Sequence, residues 1–352
     1  MPCRRCSMQV TAEVGSHRPR PIAHANQSGA ALIVALLVFA LCTALVVAME
    51  SEFNRFYQRS ANILLAEQAN AYLRGAEELA TLALLADYDA QDRDSPRDDL
   101  LEIWAQAPPP YALDEGGWMA GCLRDLQGRF NLNALLGEAS EGQRFTPAQA
   151  QFIRLLQALE EPPVSEQEAV LITAAVADWL DSDGQPRPDG AEDNYYLARS
   201  PAHRSADQPM ASVSELRAVA YVTPEIFTAL QPWVTVWPRS PATLNINTAP
   251  MMVLRSINSD KDLSPLSEAD ATALVADREE AGFADLDAFL ANPVFDGRRD
   301  NMTATRALLG QRSSYFLLQA EVEVADRNMR LYSVLQRSGR YVAALSRASG
   351  SR

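Results

Sequence analysis

Residues 30–49 (AALIVALLVFALCTALVVAM) carry no charge, and nothing that breaks a helix follows them until Gly75. Twenty apolar residues at 1.5 Å each span about 30 Å, the thickness of a bilayer core. No Gly or Pro lies between Ala30 and Arg74, and the first later proline is Pro96. Past residue 49, apolar side chains such as Phe53, Phe56, Leu64, Leu73, Ala76 and Leu84 recur at roughly helical spacing. The pattern predicts one continuous helix over 30–86, roughly 85 Å long. It is apolar all round over 30–49, the transmembrane part, and amphipathic beyond. Arg4, Arg5, Arg18 and Arg20 precede the span against one acid, Glu13, while Glu50 and Glu52 follow it. This asymmetry puts the N-terminus in the cytoplasm and the body across the membrane.

Three fates fit such a segment: a secretory signal cut near Ala48 after Val46-x-Ala48, a plain anchor, or a signal cut on the cytoplasmic side at Gly29. A cleaved signal usually gives way to a helix-breaking polar stretch. None follows here, which favours the third fate.

The body is acidic. The chain's formal net charge is −14, so phosphate backbones are repelled and nucleic acid is a poor default partner. Of four cysteines, Cys3 and Cys6 precede the apolar run, Cys42 lies inside it and Cys122 alone lies in the body, so no internal disulfide framework exists. The spacing predicts extended chain over 118–135 with a turn at Gln127-Gly128. It predicts a hairpin over 313–337, where Phe316, Leu318, Ala320, Val322 and Val324 share one face. Between them lie helical signals. Helix starts fall at Thr146-Pro147, Ser165-x-x-Glu168 and Ser212-x-x-Glu215, the last two reading as capping boxes. The expected fold is α+β: a long N-terminal helix packed on a small antiparallel sheet, with a large all-α insertion in two parts. The expected segments are a leader (1–29), the helix (30–86), a first head segment (87–135), insert parts (136–240 and 241–312), the hairpin (313–337) and a loose Ser/Arg/Gly-rich tail (338–352).

The strongest chemical constellation runs from Asp178 to Asp193. Asp178, Asp181, Asp183, Asp189, Glu192 and Asp193 fall in a loop with two Gly and two Pro. Hard oxygen ligands on a tight loop suit Ca²⁺. Counting Asp181 as one, acids occupy positions three, nine and twelve, as in an EF-hand, but position six is Pro186, where that loop requires Gly. A solvated acidic loop with helix caps is the plainer alternative. A catalytic carboxylate pair is disfavoured because no nucleophile or histidine lies nearby, and the chain carries no P-loop or dinucleotide fingerprint. His203, among polar neighbours, reads as a surface residue; Trp179, Trp233 and Trp237 read as core.

Residues 244–290 resemble helix-hairpin-helix modules, which hold phosphate on the backbone N–H groups of a Gly-rich hairpin. Here the hairpin 256–265 has no Gly and carries Asp260 and Asp262. Compact helical packing is the expected role.

QSG before AALIVALLVFAL resembles the type III signal of type IV pilins and type II secretion pseudopilins. LRDLQGRFNLNAL, DWLDSDG with GAEDNYY, QPMASVSELRAV and LNINTAPMMVL extend the resemblance over nearly the whole chain, to the general secretion pathway protein K family of minor pseudopilins. The resemblance implies cleavage by a prepilin peptidase between Gly29 and Ala30, with N-methylation of Ala30. The leader is long for the family, and Met8 is an alternative start. Pilins usually carry Glu at mature position five; here that residue is Val34, a departure characteristic of the K type at the filament tip. The resemblance further implies a non-enzymatic subunit of the type II secretion pseudopilus. It would sit in the inner membrane by a single pass with a periplasmic body, and would support export of folded exoproteins across the outer membrane. Its implied partners are I- and J-type minor pseudopilins, with exoproteins and the secretin as further contacts and no nucleic acid. The insert parts are implied to be SAM-like, with Ca²⁺ held by Asp181, Asp183, Glu192 and Asp193 and the Gln185 carbonyl. A competence-type DNA-uptake receptor using 244–290 and a minor type IV pilin are the competing readings.

Overall fold

The computed structural model describes residues 28–92, 96–114, 116–325 and 327–350. The expected leader therefore lies, up to residue 27, outside the described residues. The chain divides into two compact units, Met1–Leu64 and Leu65–Arg352. One helix, α1 (Ser28–Ala90), passes through both, a few residues longer than predicted. In the first unit its apolar side chains, Val34 among them, are exposed. The Thr43 hydroxyl donates back to the Phe39 and Ala40 carbonyls (3.0 and 2.9 Å), so the one hydroxyl of the apolar run is satisfied within the helix. Among the described residues this is the one helix long and apolar enough to cross a membrane.

The second unit starts from the rest of α1. Ala69, Leu73, Ala76, Ala80 and Leu84 recur every three or four positions and are buried. They face a five-stranded antiparallel sheet in the order β1 (Tyr111–Ala112), β2 (Trp118–Asp125), β7 (Tyr315–Val324), β8 (Arg327–Ser338), β9 (Tyr341–Ser349). The alternation read in β7 holds: Phe316, Leu318, Ala320, Val322 and Val324 all turn to the helix. Small residues on the helix and branched ones on the strand allow close approach, and each large side chain so buried contributes roughly 1.5–3 kcal/mol. Two ion pairs fix the helix on the sheet. Glu77 accepts a fork from Arg347 (2.7 and 2.9 Å) and a bond from the Ser333 hydroxyl. Burial pushes the Glu77 carboxyl up, but these donors outweigh it and hold it below the usual range. Arg337, buried on β8, spans Asp87 (2.7 Å) and Asp98.

The C-terminal segment differs from expectation. Residues 341–349 are not a loose tail but the edge strand β9, paired with β8 from Ser338↔Tyr341 to Leu331↔Ser349. The head thus ends in a three-stranded meander, and Arg347 makes the Glu77 pair from the strand that composition marks as loose.

The helical insertion enters after β2 and leaves before β7. It has two parts, each closed by a short parallel bridge. The first runs from β3 (Phe130–Asn131) to β4 (Val234–Thr235), which pair in parallel. It holds α2 (Pro147–Gln157), α3 (Glu166–Leu180), α4 (Asp193–Tyr196) and α5 (Pro224–Leu230). β3 therefore serves the insert, although the sequence pattern groups it with the head. The capping boxes at Ser165 and Ser212 form, and Thr146 with Gln149 adds a third. The Ser212 box starts a 3-10 helix (Val213–Ala218) instead of an α-helix. The second part runs from β5 (Leu244–Asn245) to β6 (Leu309–Gly310), again parallel. It holds α6 (Met251–Leu254), α7 (Glu268–Ala281), α8 (Leu286–Leu290) and α9 (Thr303–Ala307).

A buried polar knot joins insert and head. Asp125, at the end of β2, accepts from Ser313 Oγ (2.5 Å), Asn245 Nδ2 (3.4 Å), the Thr248 hydroxyl and the Gln127 N–H (2.7 Å). Asn245 also donates to the Asp98 carbonyl (3.0 Å). Gly128 lies against this knot; a Cβ there would stand 2.6 Å from Thr248 Oγ1, so only glycine fits the turn.

Candidate metal centre

Helix α3 builds the candidate site. Its Ser165–Glu168 capping box fixes the start, and a nearly continuous apolar run buries it. Asp178 and Asp181 stand one turn apart at its C-terminal end, so both carboxylates leave the same side. Asp178 is fully buried and Asp181 nearly so. The chain then folds back through Asx turns: Asp181 Oδ1 accepts from the Asp183 N–H (3.2 Å), and Asp183 Oδ1 from the Gln185 N–H (2.8 Å). Gln185-Pro186-Arg187-Pro188 crosses the end of the helix, and the Arg187 N–H donates to both Asp178 oxygens (3.3 and 3.2 Å). Gly190 passes so close that a Cβ there would lie 1.9 Å from Asp178 Oδ2. Glu192 then caps α4 by backbone alone and turns its buried side chain inward.

The result brings Asp178, Asp181 and Glu192 together, one carboxylate oxygen of each lying within 4.8 Å of the others. Arg187 Nη1 touches Asp178 Oδ1 (2.9 Å) and Asp181 Oδ2. Glu192 Oε1 is buried without a hydrogen-bond partner. Burial first, then the charges of Asp178, Asp207 and Asp181, push the Glu192 carboxyl up to about 7. Burial also raises Asp178, with Arg187 opposing and Asp181 adding to the rise. Three carboxyl groups face one guanidinium, and Glu192 leaves a buried acceptor unsatisfied. Such a donor set fits a hard divalent cation.

The expected ligands divide. Asp181 and Glu192 stand in the cluster. Asp183 and Gln185 are exposed and serve the turn. Asp193 points elsewhere, accepting from the Ser205 N–H (3.1 Å) and pairing with Arg204 (3.4 Å). Asp189, ninth in the EF-like count, is exposed and pairs with Arg144 (3.5 Å). Asp178, part of the acidic run but outside the expected ligand set, stands one turn before Asp181 and joins the cluster. His203 is not a free surface residue. Its ring is half-buried, 5.1 Å from Tyr196 and 6.2 Å from Trp179.

The hairpin 256–265 turns most of its backbone polar groups into the protein. Its N–H groups at Ser259, Asp260, Lys261, Asp262 and Ser264 are all bonded within the protein. Its carbonyls at Ser256, Ser259 and Asp262 turn inward to the buried Arg154 guanidinium (3.3, 2.7 and 2.7 Å). Desolvation pulls Arg154 down to about 10, against the charges of Asp262 and Asp260. The loop joins the two insert parts.

Two family models, both described as type II secretion system (T2SS) protein K, match residues 128–239 and 244–310. Together they cover half of the chain, and their limits lie within a few residues of the two parallel bridges. The chain belongs to the type II secretion system protein K family. Type II secretion system protein K of Klebsiella pneumoniae is 32% identical over 326 residues, covering 92% of this chain and 97% of its own length. The protein K of Pseudomonas aeruginosa is 34% identical, covering 89% of each. A chain in the crystal structure of the GspK-GspI-GspJ complex from enterotoxigenic Escherichia coli matches with a TM-score of 0.72 and 29% identity. The match covers 84% of this chain and all of that one. The family expected from the sequence is thus the family found, and the DNA-receptor alternative is not favoured.

Proposed function

We propose that this chain is a non-enzymatic minor pseudopilin that caps the type II secretion pseudopilus with I- and J-type partners. In this reading it is anchored in the inner membrane with its body in the periplasm, where the tip supports export of folded exoproteins and meets the secretin. One observation carries the reading: a pilin-type helix and sheet interrupted, between β2 and β7, by a two-part helical insert. An insert of that size widens the head and blocks a subunit from stacking beyond it. Val34 supports the same end position. A Glu there would pair with a neighbour's α-amine in an apolar setting, where an unpaired charge is costly. The K-I-J assembly of the structural neighbour is the precedent for the partners. Co-purification of the full chain with I- and J-type pseudopilins tests the partnership. A Val34→Glu chain found along the filament tests the positional role; unchanged tip placement would leave the head alone responsible.

The second part of the proposal is calcium at the α3 loop. Asp178, Asp181 and Glu192 would hold it, and the ion would cross-link the end of α3 to the start of α4. Asp183, Gln185 and Asp193 shape the loop around them. Calcium titration of the full chain in detergent, read by its melting midpoint, tests this; a midpoint indifferent to CaCl2 and to chelator contradicts it.

A further inference from the structure

The cluster at the end of α3 already contains a cation, and it belongs to the protein. Arg187 Nη1 contacts one oxygen of Asp178 and one of Asp181. A calcium ion bridging the same two oxygens at about 2.3–2.6 Å would need nearly the same place. Guanidinium and metal cannot share it, on grounds of volume and of charge.

We infer that Arg187 and a divalent cation are alternative occupants of one position, so that the side chain is a built-in counter-ion that calcium must displace. The inference rests on the calcium reading above and adds the mechanism of entry. Two features make the exchange local. Pro186 and Pro188 restrict the backbone on both sides, and the Arg187 N–H stays bonded to Asp178, so the main chain is held while the side chain turns. The Arg187 side chain is also the most exposed member, at 25% against 0% for Asp178, giving it a path to water. Glu192 supplies the bias. Its buried Oε1 is left without a donor while Arg187 serves the two aspartates, and a metal ligated by all three carboxylates would satisfy it. Calcium affinity is then the ion's own binding free energy less that of the ion pairs it breaks. Without the metal, the same pairs keep the loop closed.

The test uses the full chain in detergent, stripped with chelator and titrated with CaCl2, beside Arg187→Gln and Arg187→Lys. The glutamine variant, which presents no competing cation, is expected to bind calcium on the order of tenfold more tightly, equivalent to about 1.4 kcal/mol. In chelator it should melt below the parent, and in CaCl2 the two midpoints should converge. The lysine variant, a point cation without the fork, should fall between them. In the parent chain, modification of Arg187 by phenylglyoxal, mapped by mass spectrometry, should rise several-fold with CaCl2. Equal or weaker calcium binding by both variants, with the parent binding normally, overturns the exchange and leaves the calcium site standing. Phenylglyoxal reactivity unmoved by bound calcium overturns it too, even if a variant fails to fold. A parent chain that binds no calcium overturns both readings.

Discussion

Replacing Arg337 by methionine should destabilise the head more than any surface change, because of what it leaves behind. Arg337 is 4% exposed. It donates to Asp87 (2.7 Å), to Asp98 and to the Ser313 carbonyl (3.2 Å), and lies over the Phe316 ring at 5.1 Å. Methionine fills much of the volume but leaves the buried Asp87 and Asp98 carboxylates, with Glu102 beside them, without their guanidinium. Breaking a buried pair from one side costs about 3–5 kcal/mol. Asp87 is already raised by burial, against the opposing effect of Arg337. Without the arginine it rises further, so the folded variant binds protons more tightly than the unfolded chain. Its stability is then greatest at low pH and is lost as pH rises through the raised folded value. The expected result, by denaturant unfolding of the full chain in detergent, is a loss of about 3–5 kcal/mol at pH 7.5 that shrinks toward pH 5. Adding Asp87→Asn should recover part of it. A loss under about 1 kcal/mol, or one independent of pH, would refute the claim that Arg337 neutralises buried charge.

Four further outcomes follow from the same structure. Asp178→Asn and Glu192→Gln should abolish the calcium-dependent rise in melting midpoint, while Asp183→Ala should keep most of it; equal losses would return the ligand role to the exposed turn. Gly128→Ala should cost about 1–3 kcal/mol, because its Cβ would press on Thr248 from 2.6 Å, and urea unfolding reads the loss. Burial raises Asp125 from 3.8 to about 6, against the pull of its Ser313 and Thr248 donors. Its contribution to stability is therefore full below pH 4 and lost as pH rises through about 6, and Asp125→Asn should remove that slope from the difference between the two chains. In a gel-retardation assay at physiological ionic strength the full chain should not bind DNA, given the bonded N–H groups of the hairpin 256–265.

Much of this was legible because it is written locally. The lack of Gly and Pro from Ala30 to Arg74 marks most of α1, the Ser165 box marks α3, and alternation marks β7. What escaped depends on partners far along the chain. Residues 341–349 (YVAALSRAS) have a weak pattern of their own, and become a strand because β8 offers a ladder and Glu77 offers Arg347 a partner some 270 positions away. Phe130 and Asn131 look like head because they follow β2 directly; their partner in β4 makes them insert. At the acidic loop the EF-like spacing from Asp181 reaches Asp183, Asp189 and Glu192, while the set with Gln185 and Asp193 comes from the family resemblance. The fold buries Asp178 together with Asp181 and Glu192 and leaves Asp183 and Gln185 exposed, a grouping that spacing does not reveal.

A prepilin-type signal is cut on the cytoplasmic side and leaves the apolar run in the mature chain. Intact-mass and N-terminal analysis of the protein recovered from cells tests this most directly. A mature chain starting at N-methylated Ala30, with residues 30–49 retained, is the predicted result. A chain starting near residue 49 would make it a soluble body without an anchor, and would contradict the pseudopilin reading.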